Sequence, residues 1–197
     1  MSAEDKQHVE EQIDITDDLT LPKLLVRQAK KFGDRVAMRE KEFGIWRPIT
    51  WNDYLRNVKH ICLGLVTLGL SEGDKVIMIG DNRPEALWVE MAAMCGRGVG
   101  VWLFQDSLID EVQYIVNHSD AVFYVAEGQE EVDKALAVKD QCPKLKKIIW
   151  DDPKGLRHYD DPMLISLKEV MALGAQKEKE EPELFDRLVA KGNAHEV

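Results

Sequence analysis

Two stretches of the chain carry the residue types with the greatest chemical reach. The first is Gly80-Asp81-Asn82-Arg83-Pro84, which sets a guanidinium just ahead of a helical segment. Backbone amides and the positive helix end favour an anion there, so Arg83, with Asn82 beside it, is a candidate to hold a carboxylate or phosphate. The same residues also fit a plain helix start, with Asp81 or Asn82 as cap and Pro84 in the first turn. The second stretch is Phe104-Gln105-Asp106-Ser107. Phe104 offers an aromatic wall and Gln105 a polar group for the rim of a pocket. Here too a structural role accounts for the residues: Ser107 can cap the next helix, with Asp110 three positions on completing a capping box.

Other constellations fall away on spacing. Gly96-Arg97-Gly98-Val99-Gly100 has the glycines of a dinucleotide loop but lies where a helix ends and a strand begins, the reverse of what that loop requires. His118-Ser119-Asp120 holds triad residue types as sequence neighbours, which cannot converge on one reacting atom; His118 is better placed as a cation near a helix carboxyl end. Lys177 to Glu181 is expected to be a solvated charged run. No G-x-x-x-x-G-K-[ST] loop and no clustered Cys/His pattern is present, so neither a triphosphate cradle nor a metal site is expected. No catalytic residue is expected within these residues.

The elements that must position the two loops follow from periodicity. Thr20 is expected to cap a first helix whose stripe is Leu24, Leu25, Ala29 and Phe32, ended by Gly33. Residues 35–41 and 45–49 alternate as strands about a Phe43-Gly44 turn, giving a hairpin. Thr50, with Asp53 at the third position, opens the longest helix. On it Trp51, Tyr54, Leu55, Val58, Ile61, Cys62, Leu65 and Val66 form one buried face, while Arg56, Asn57, Lys59 and His60 fall on the wet side.

Strand-like runs at 75–79, 99–104, 121–125 and 147–150 then alternate with helical segments at 84–94, 108–117 and 130–139, the spacing of βαβ units. Leu108, Val112 and Ile115 are expected to point inward. This predicts an α/β fold: a doubly wound, mainly parallel sheet flanked by helices, with an amino-terminal β-hairpin. After Trp150 the alternation fails. A turn, an irregular stretch, a short helix from Ser166 to Ala172, a charged solvated segment at 176–182 and a last helix at 183–190 are expected.

Composition narrows the class. The chain has 197 residues, 45% of them hydrophobic and 31% charged, with a formal net charge of −10. That acidity disfavours a nucleic-acid partner. Three scattered cysteines fit reduced thiols rather than a disulfide framework. No run reaches the length of a membrane span and the first residues lack a signal-peptide pattern, so a cytoplasmic protein is the expectation, with peripheral contact at a membrane left open. Residues 1–18 carry seven acids against one lysine and are expected to be a mobile acidic arm. Residues 19–174 then form the α/β unit, and 175–197 a charged linker and helix.

With these segments in order, 20–174 resembles the N-terminal subdomain of the adenylate-forming superfamily, specifically the AMP-dependent long-chain fatty-acyl-CoA synthetases of bacteria. Leu21-Pro22-Lys23-Leu24-Leu25, Phe43-Gly44-Ile45-Trp46 and Ile49-Thr50-Trp51 carry the resemblance. So do Asp81-Asn82-Arg83-Pro84-Glu85 with Trp88, and Phe104-Gln105-Asp106-Ser107, where relatives often have tyrosine first. The run from Asp151 to Tyr159 is similar to a subfamily signature.

The resemblance implies that an intact parent joins a fatty acid to coenzyme A in two steps, using ATP, Mg2+ and coenzyme A, with nucleotide chemistry in motifs beyond residue 197. Gly192-Asn193-Ala194-His195 resembles the stretch upstream of the first of them. It further implies a fatty-acid substrate, with Phe104 and Gln105 as acyl-pocket candidates, and the remainder of the same chain as partner. No cofactor is expected on residues 1–197 alone. An exposed apolar surface is expected, through which two copies could pair. A stand-alone acyl-binding or regulatory module, or an adenylating enzyme that loads a carrier protein, are the alternatives.

Overall fold

The most apolar runs of the sequence form the middle of a sheet. In a computed structural model, which describes residues 19–194, β3 (Lys75–Ile79) and β5 (Ala121–Ala126) lie side by side, and almost every residue on them is buried. Burial on both faces is what a parallel strand between two helical layers requires. β4 (Val99–Leu103) flanks β3 at one edge, while β6 (Lys147–Trp150) and β7 (Leu164–Ser166) extend the sheet beyond β5. All four pairings are parallel. The spatial order β4-β3-β5-β6-β7 is doubly wound, with the chain reversing direction of travel between β3 and β5. β7 is a fifth strand that the sequence did not announce. Three residues long and preceded by Asp160, Asp161 and Pro162, it is too short to show a period.

Alternation along the strands divides the core in two. Val76 and Met78 face one layer, made by α2 (Trp51–Thr67), α3 (Pro84–Cys95) and α6 (Leu167–Glu180), with α1 (Leu21–Phe32) and α7 (Leu184–Lys191) at its margin. Ile77 and Ile79 face the other, made by α4 (Ile109–His118) and α5 (Gln129–Val138). The hairpin of β1 (Val36–Glu42) and β2 (Ile45–Thr50) stands apart as a two-stranded antiparallel sheet. Thr50 leads straight from β2 into α2: its hydroxyl accepts the Asp53 N–H at 3.0 Å, and the Asp53 carboxylate accepts the Thr50 N–H at 3.1 Å. These bonds hold the Asp53 carboxyl below its ordinary range.

Three expectations are corrected. The charged run after Ala172 is not solvated coil, because α6 continues to Glu180 and passes the 174/175 boundary without a break. The Ser166 hydroxyl and the Glu169 carboxylate cap it reciprocally. Two glycines explain its path. A β-carbon on Gly64 would lie 2.1 Å from the Val170 carbonyl oxygen, and one on Gly174 would lie 1.7 Å from that of His60, so α2 and α6 cross backbone to backbone. This crossing also corrects the wet side of α2. Lys59 and His60 are largely covered, and both engage Glu178 of α6, at 2.6 and 3.0 Å. Finally, Leu108 points outward. α4 begins one residue later than expected; Val112 is buried as expected, Val116 joins it, and Ile115 packs half-buried against the same core. Residues 1–18, expected as an acidic arm, lie outside the described residues.

Candidate functional site

In a doubly wound sheet the crevice beyond the carboxyl ends of the strands, where the winding reverses, is where a ligand is expected. Here that point lies between the loop after β3 and the loop after β5, and Arg83 stands in it. Its guanidinium is not open to an anion. One terminal nitrogen lies 3.2 Å from Glu40 of β1 and the other 3.4 Å from Glu127 after β5, while Nε lies 3.8 Å from Glu85 in the first turn of α3. The Glu127 carboxylate also accepts the backbone N–H of Asp81, and Gly80, at φ +148°, lies against the Glu127 side chain. Asp151, at the end of β6, closes the group. The cleft left between these residues holds only about 30 Å³, room for about one water molecule.

The electrostatics of this cluster are uneven. Burial raises the Glu85 carboxyl above its ordinary value, and the negative charges of Asp151 and Glu40 add to the effect against the opposing pull of Arg83. Burial likewise raises Asp151, with Arg83 again opposing. One guanidinium therefore serves four carboxylates drawn from the hairpin, α3, β5 and β6. The cap reading of this loop is also corrected. Arg83 itself is the residue preceding α3, no side chain caps the helix, and neither Asp81 nor Asn82 takes that place. Pro84 in the first turn has no N–H to satisfy, which lessens the need for a cap. Asn82 is exposed.

The loop after β4 holds Phe104 and Gln105. Phe104 is 87% exposed and makes no wall in this structure. Gln105 is tied down: its side-chain amide donates to Glu131 of α5 at 3.1 Å, and Lys134 donates to its backbone carbonyl at 2.6 Å. Glu131, only 3% exposed, also accepts the Gly128 N–H at 3.1 Å and so finishes the amino end of α5. Beside it the Tyr124 hydroxyl is buried with no hydrogen-bond partner among the described residues. Ser107 does not cap α4. Leu108 precedes the helix, and its N–H goes to Glu111 at 2.9 Å rather than to Asp110.

The structure thus separates the two candidate loops, on neighbouring strands at the same end of the sheet. Of the residues that govern them, Glu40, Glu127 and Glu131 play no part in the sequence reading, and Asp151 enters it only as the first residue of a signature-like run. Only Glu131 carried a usable signal, an acid three residues after a glycine at a helix start. The Gly96–Gly100 run behaves as expected: Gly96 ends α3, and a β-carbon on Gly98 would lie 2.8 Å from the Asp74 carbonyl. His118 ends α4, stacked on Tyr114. Among the described residues no three His, Cys, Asp or Glu side chains are placed to hold a metal ion. A concavity of about 790 Å³ lies at the opposite end of the sheet, between the start of α1, the start of β4 and the end of α7.

Comparison with known proteins places this architecture. The chain is 29% identical over 158 residues to the long-chain-fatty-acid–CoA ligase ACSBG2 of Xenopus laevis, an alignment that covers 79% of this chain and 21% of that protein. It is 31% identical over 121 residues to fatty acyl-CoA synthetase A of Dictyostelium discoideum, covering 61% and 18%. The chain therefore spans about a fifth of the length of these curated relatives. Among solved structures, coronafacic acid ligase of Pectobacterium brasiliense superposes with a TM-score of 0.69 at 18% identity, over 78% of this chain and 29% of that one. Acetoacetyl-CoA synthetase of Streptomyces lividans gives 0.66 at 19%, over 79% and 25%. The sequence model described as AMP-binding enzyme matches residues 25–183, nearly all of the sheet and its helices, and the chain belongs to that family.

Proposed function

We propose that this chain is the amino-terminal α/β portion of a long-chain-fatty-acid–CoA ligase. The observation that carries the reading is the family match across 25–183 together with relatives named as fatty-acyl-CoA ligases. In the intact enzyme a fatty-acid carboxylate oxygen attacks the α-phosphorus of ATP, and pyrophosphate leaves. The thiol of coenzyme A then attacks the acyl carbon of the adenylate, and AMP leaves with the bonding electrons.

The described residues do not by themselves fit the nucleotide. The crevice at the winding reversal is filled by the chain's own ion pairs, and no phosphate-cradling loop lies beside it. Mg2+ finds no ligand set here either. ATP, Mg2+ and coenzyme A accordingly belong to the longer protein, and this part supplies scaffold. The α/β unit, with α6 and α7 included, is proposed to pack against the remainder of the chain, and Phe104 and Gln105 are the residues proposed to meet the acyl chain.

The edge strand β4 supports a covering partner. Residues 98–104 carry no charge and no proline, and Trp102, Phe104, Leu108 and Ile109 are exposed around it. Such an edge invites pairing unless it is covered. In the absence of the rest of the chain, pairing of two copies there is the expected substitute. The protein is proposed to work in the cytoplasm.

The test is fatty-acid-dependent exchange of pyrophosphate into ATP. The 197-residue chain is expected to show none, whereas a longer chain containing it is expected to show exchange and to form acyl-CoA. Robust exchange by the 197 residues alone overturns the reading.

A further inference from the structure

The β1–β2 hairpin ends in a residue that is costly where it stands. Phe43 and Gly44 form the two-residue turn, both with positive φ, at 48° and 81°. A turn of this kind prefers asparagine, aspartate or glycine. In the left-handed region the phenylalanine β-carbon crowds the backbone, and at 93% exposure the residue recovers nothing by burial. Its neighbours Ile45 and Trp46 are also exposed, at 69% and 60%. A strained and fully solvated aromatic residue points to something outside the described chain.

Strand alternation sorts the charges around this tip. Lys41 pairs with Trp46 and Arg39 with Pro48, so these four residues share one face. Lys41 lies 5.9 Å from the centre of the Trp46 ring, and neither Lys41 nor Arg39 has an ion-pair partner among the described residues. The carboxylates are on the other face, and both are neutralised: Glu42 by Arg47, Glu40 by Arg83. The hairpin thus presents two cations without carboxylate partners and an indole on one side, leading to a phenylalanine at its tip, with Ile45, which pairs with Glu42, on the other face. The chain as a whole carries −10, but at physiological ionic strength screening over about 8 Å leaves this face to act locally.

We propose that the β1–β2 hairpin docks the protein on an anionic lipid bilayer, with Phe43 and Trp46 entering the headgroup boundary and Arg39 and Lys41 meeting lipid phosphates. Aromatic side chains favour that boundary, and each cation near an anionic surface contributes about fivefold in binding. The proposal rests on the hairpin alone and is independent of the ligase reading.

The experiment is sedimentation of the 197-residue chain with vesicles of phosphatidylcholine, alone or with roughly one-third phosphatidylglycerol. Binding is expected on the anionic vesicles and is expected to weaken with salt. The double variant Arg39→Gln/Lys41→Gln is expected to lose roughly 25-fold. Phe43→Asn is the sharper probe. Asparagine suits the left-handed turn, so this variant is expected to melt at a higher temperature while losing severalfold in vesicle binding. Tyr114→Ser, which removes an exposed aromatic residue from α4, is expected to change nothing. Failure to bind anionic vesicles overturns the proposal. So does equal binding by Phe43→Asn and wild type, or an equal loss in Tyr114→Ser, which would mark general stickiness.

Discussion

The loops after β3 and β4 leave the same end of the same sheet from neighbouring strands, yet they are anchored in opposite ways. The β3 loop is held by side chains from a distance, since Arg83 links the hairpin, α3 and β5 through Glu40, Glu85 and Glu127. The β4 loop is held from one side only, by Glu131 and Lys134 of α5 acting on Gln105, and it leaves Phe104 bare. A loop at the winding reversal that is filled by its own ion pairs is part of the scaffold. A loop that is fixed in backbone but bare in side chain is the one the proposed contact with the remainder of the chain would use. The difference explains why the residue with the more obvious chemistry, Arg83, is the less available of the two.

The largest effect that sharpens this contrast is expected at Arg83. Arg83→Met removes the one cation among four carboxylates. Stripping one partner from a buried ion pair costs about 3–5 kcal/mol, but this guanidinium is roughly one-third exposed, so a loss of about 2 kcal/mol in urea unfolding is expected. The matched truncation in the other loop, Gln105→Ala, is expected to cost less than about 1 kcal/mol. Equal losses would mean that the two loops are anchored alike.

Much of this architecture was legible because it is periodic. The runs at β3, β5 and β6 are too apolar and too short for anything but buried strands, and Thr50 with Asp53 marks the start of α2. What was not legible depends on long-range convergence. Glu40, Glu127 and Asp151 are scattered over more than a hundred positions, and only the sheet brings them to Arg83. The extension of α6 was hidden for a related reason. Its Lys-Glu run has the composition of a solvated stretch, but Glu178 meets Lys59 and His60, and the glycine contact with α2 fixes its course. Ser107 misled because local pattern admits a cap at either of two adjacent residues, and Glu111 rather than Asp110 has the reach.

The next effect in size concerns the side-chain anchor of the β4 loop. Glu131→Ala releases the Gln105 side chain, leaving Lys134 on its backbone carbonyl, and removes the acceptor for Gly128 N–H at the start of α5. Loss of a helix-terminal partner of this kind costs about 1 kcal/mol. Hydrogen exchange is expected to quicken at 104–107 and at the first turn of α5 while the β3 loop stays protected. Faster exchange in both loops together would show that they move as one unit.

The smallest effect lies in how stability follows pH. Glu85 and Asp151 have carboxyls raised above their ordinary values, chiefly by burial, so the folded protein holds protons that the unfolded chain has released. Stability from these two groups therefore falls as pH rises from their ordinary values, 4.5 and 3.8, through the raised ones, and the penalty is complete above that window. Asp53, Glu169 and Glu178 are lowered, by hydrogen bonds to Thr50, Ser166 and Lys59 respectively. Their contribution is present above the ordinary carboxylate range and disappears as pH falls through the depressed values. The two windows lie on opposite sides of about pH 4. Glu85→Gln is accordingly expected to flatten the stability curve above about pH 4.5 and to leave the acid limb unchanged. If the variant and the wild type run parallel from that pH upward, the excess negative charge around Arg83 is relieved by water rather than held in the fold, and the β3 loop is no more strained than its neighbour.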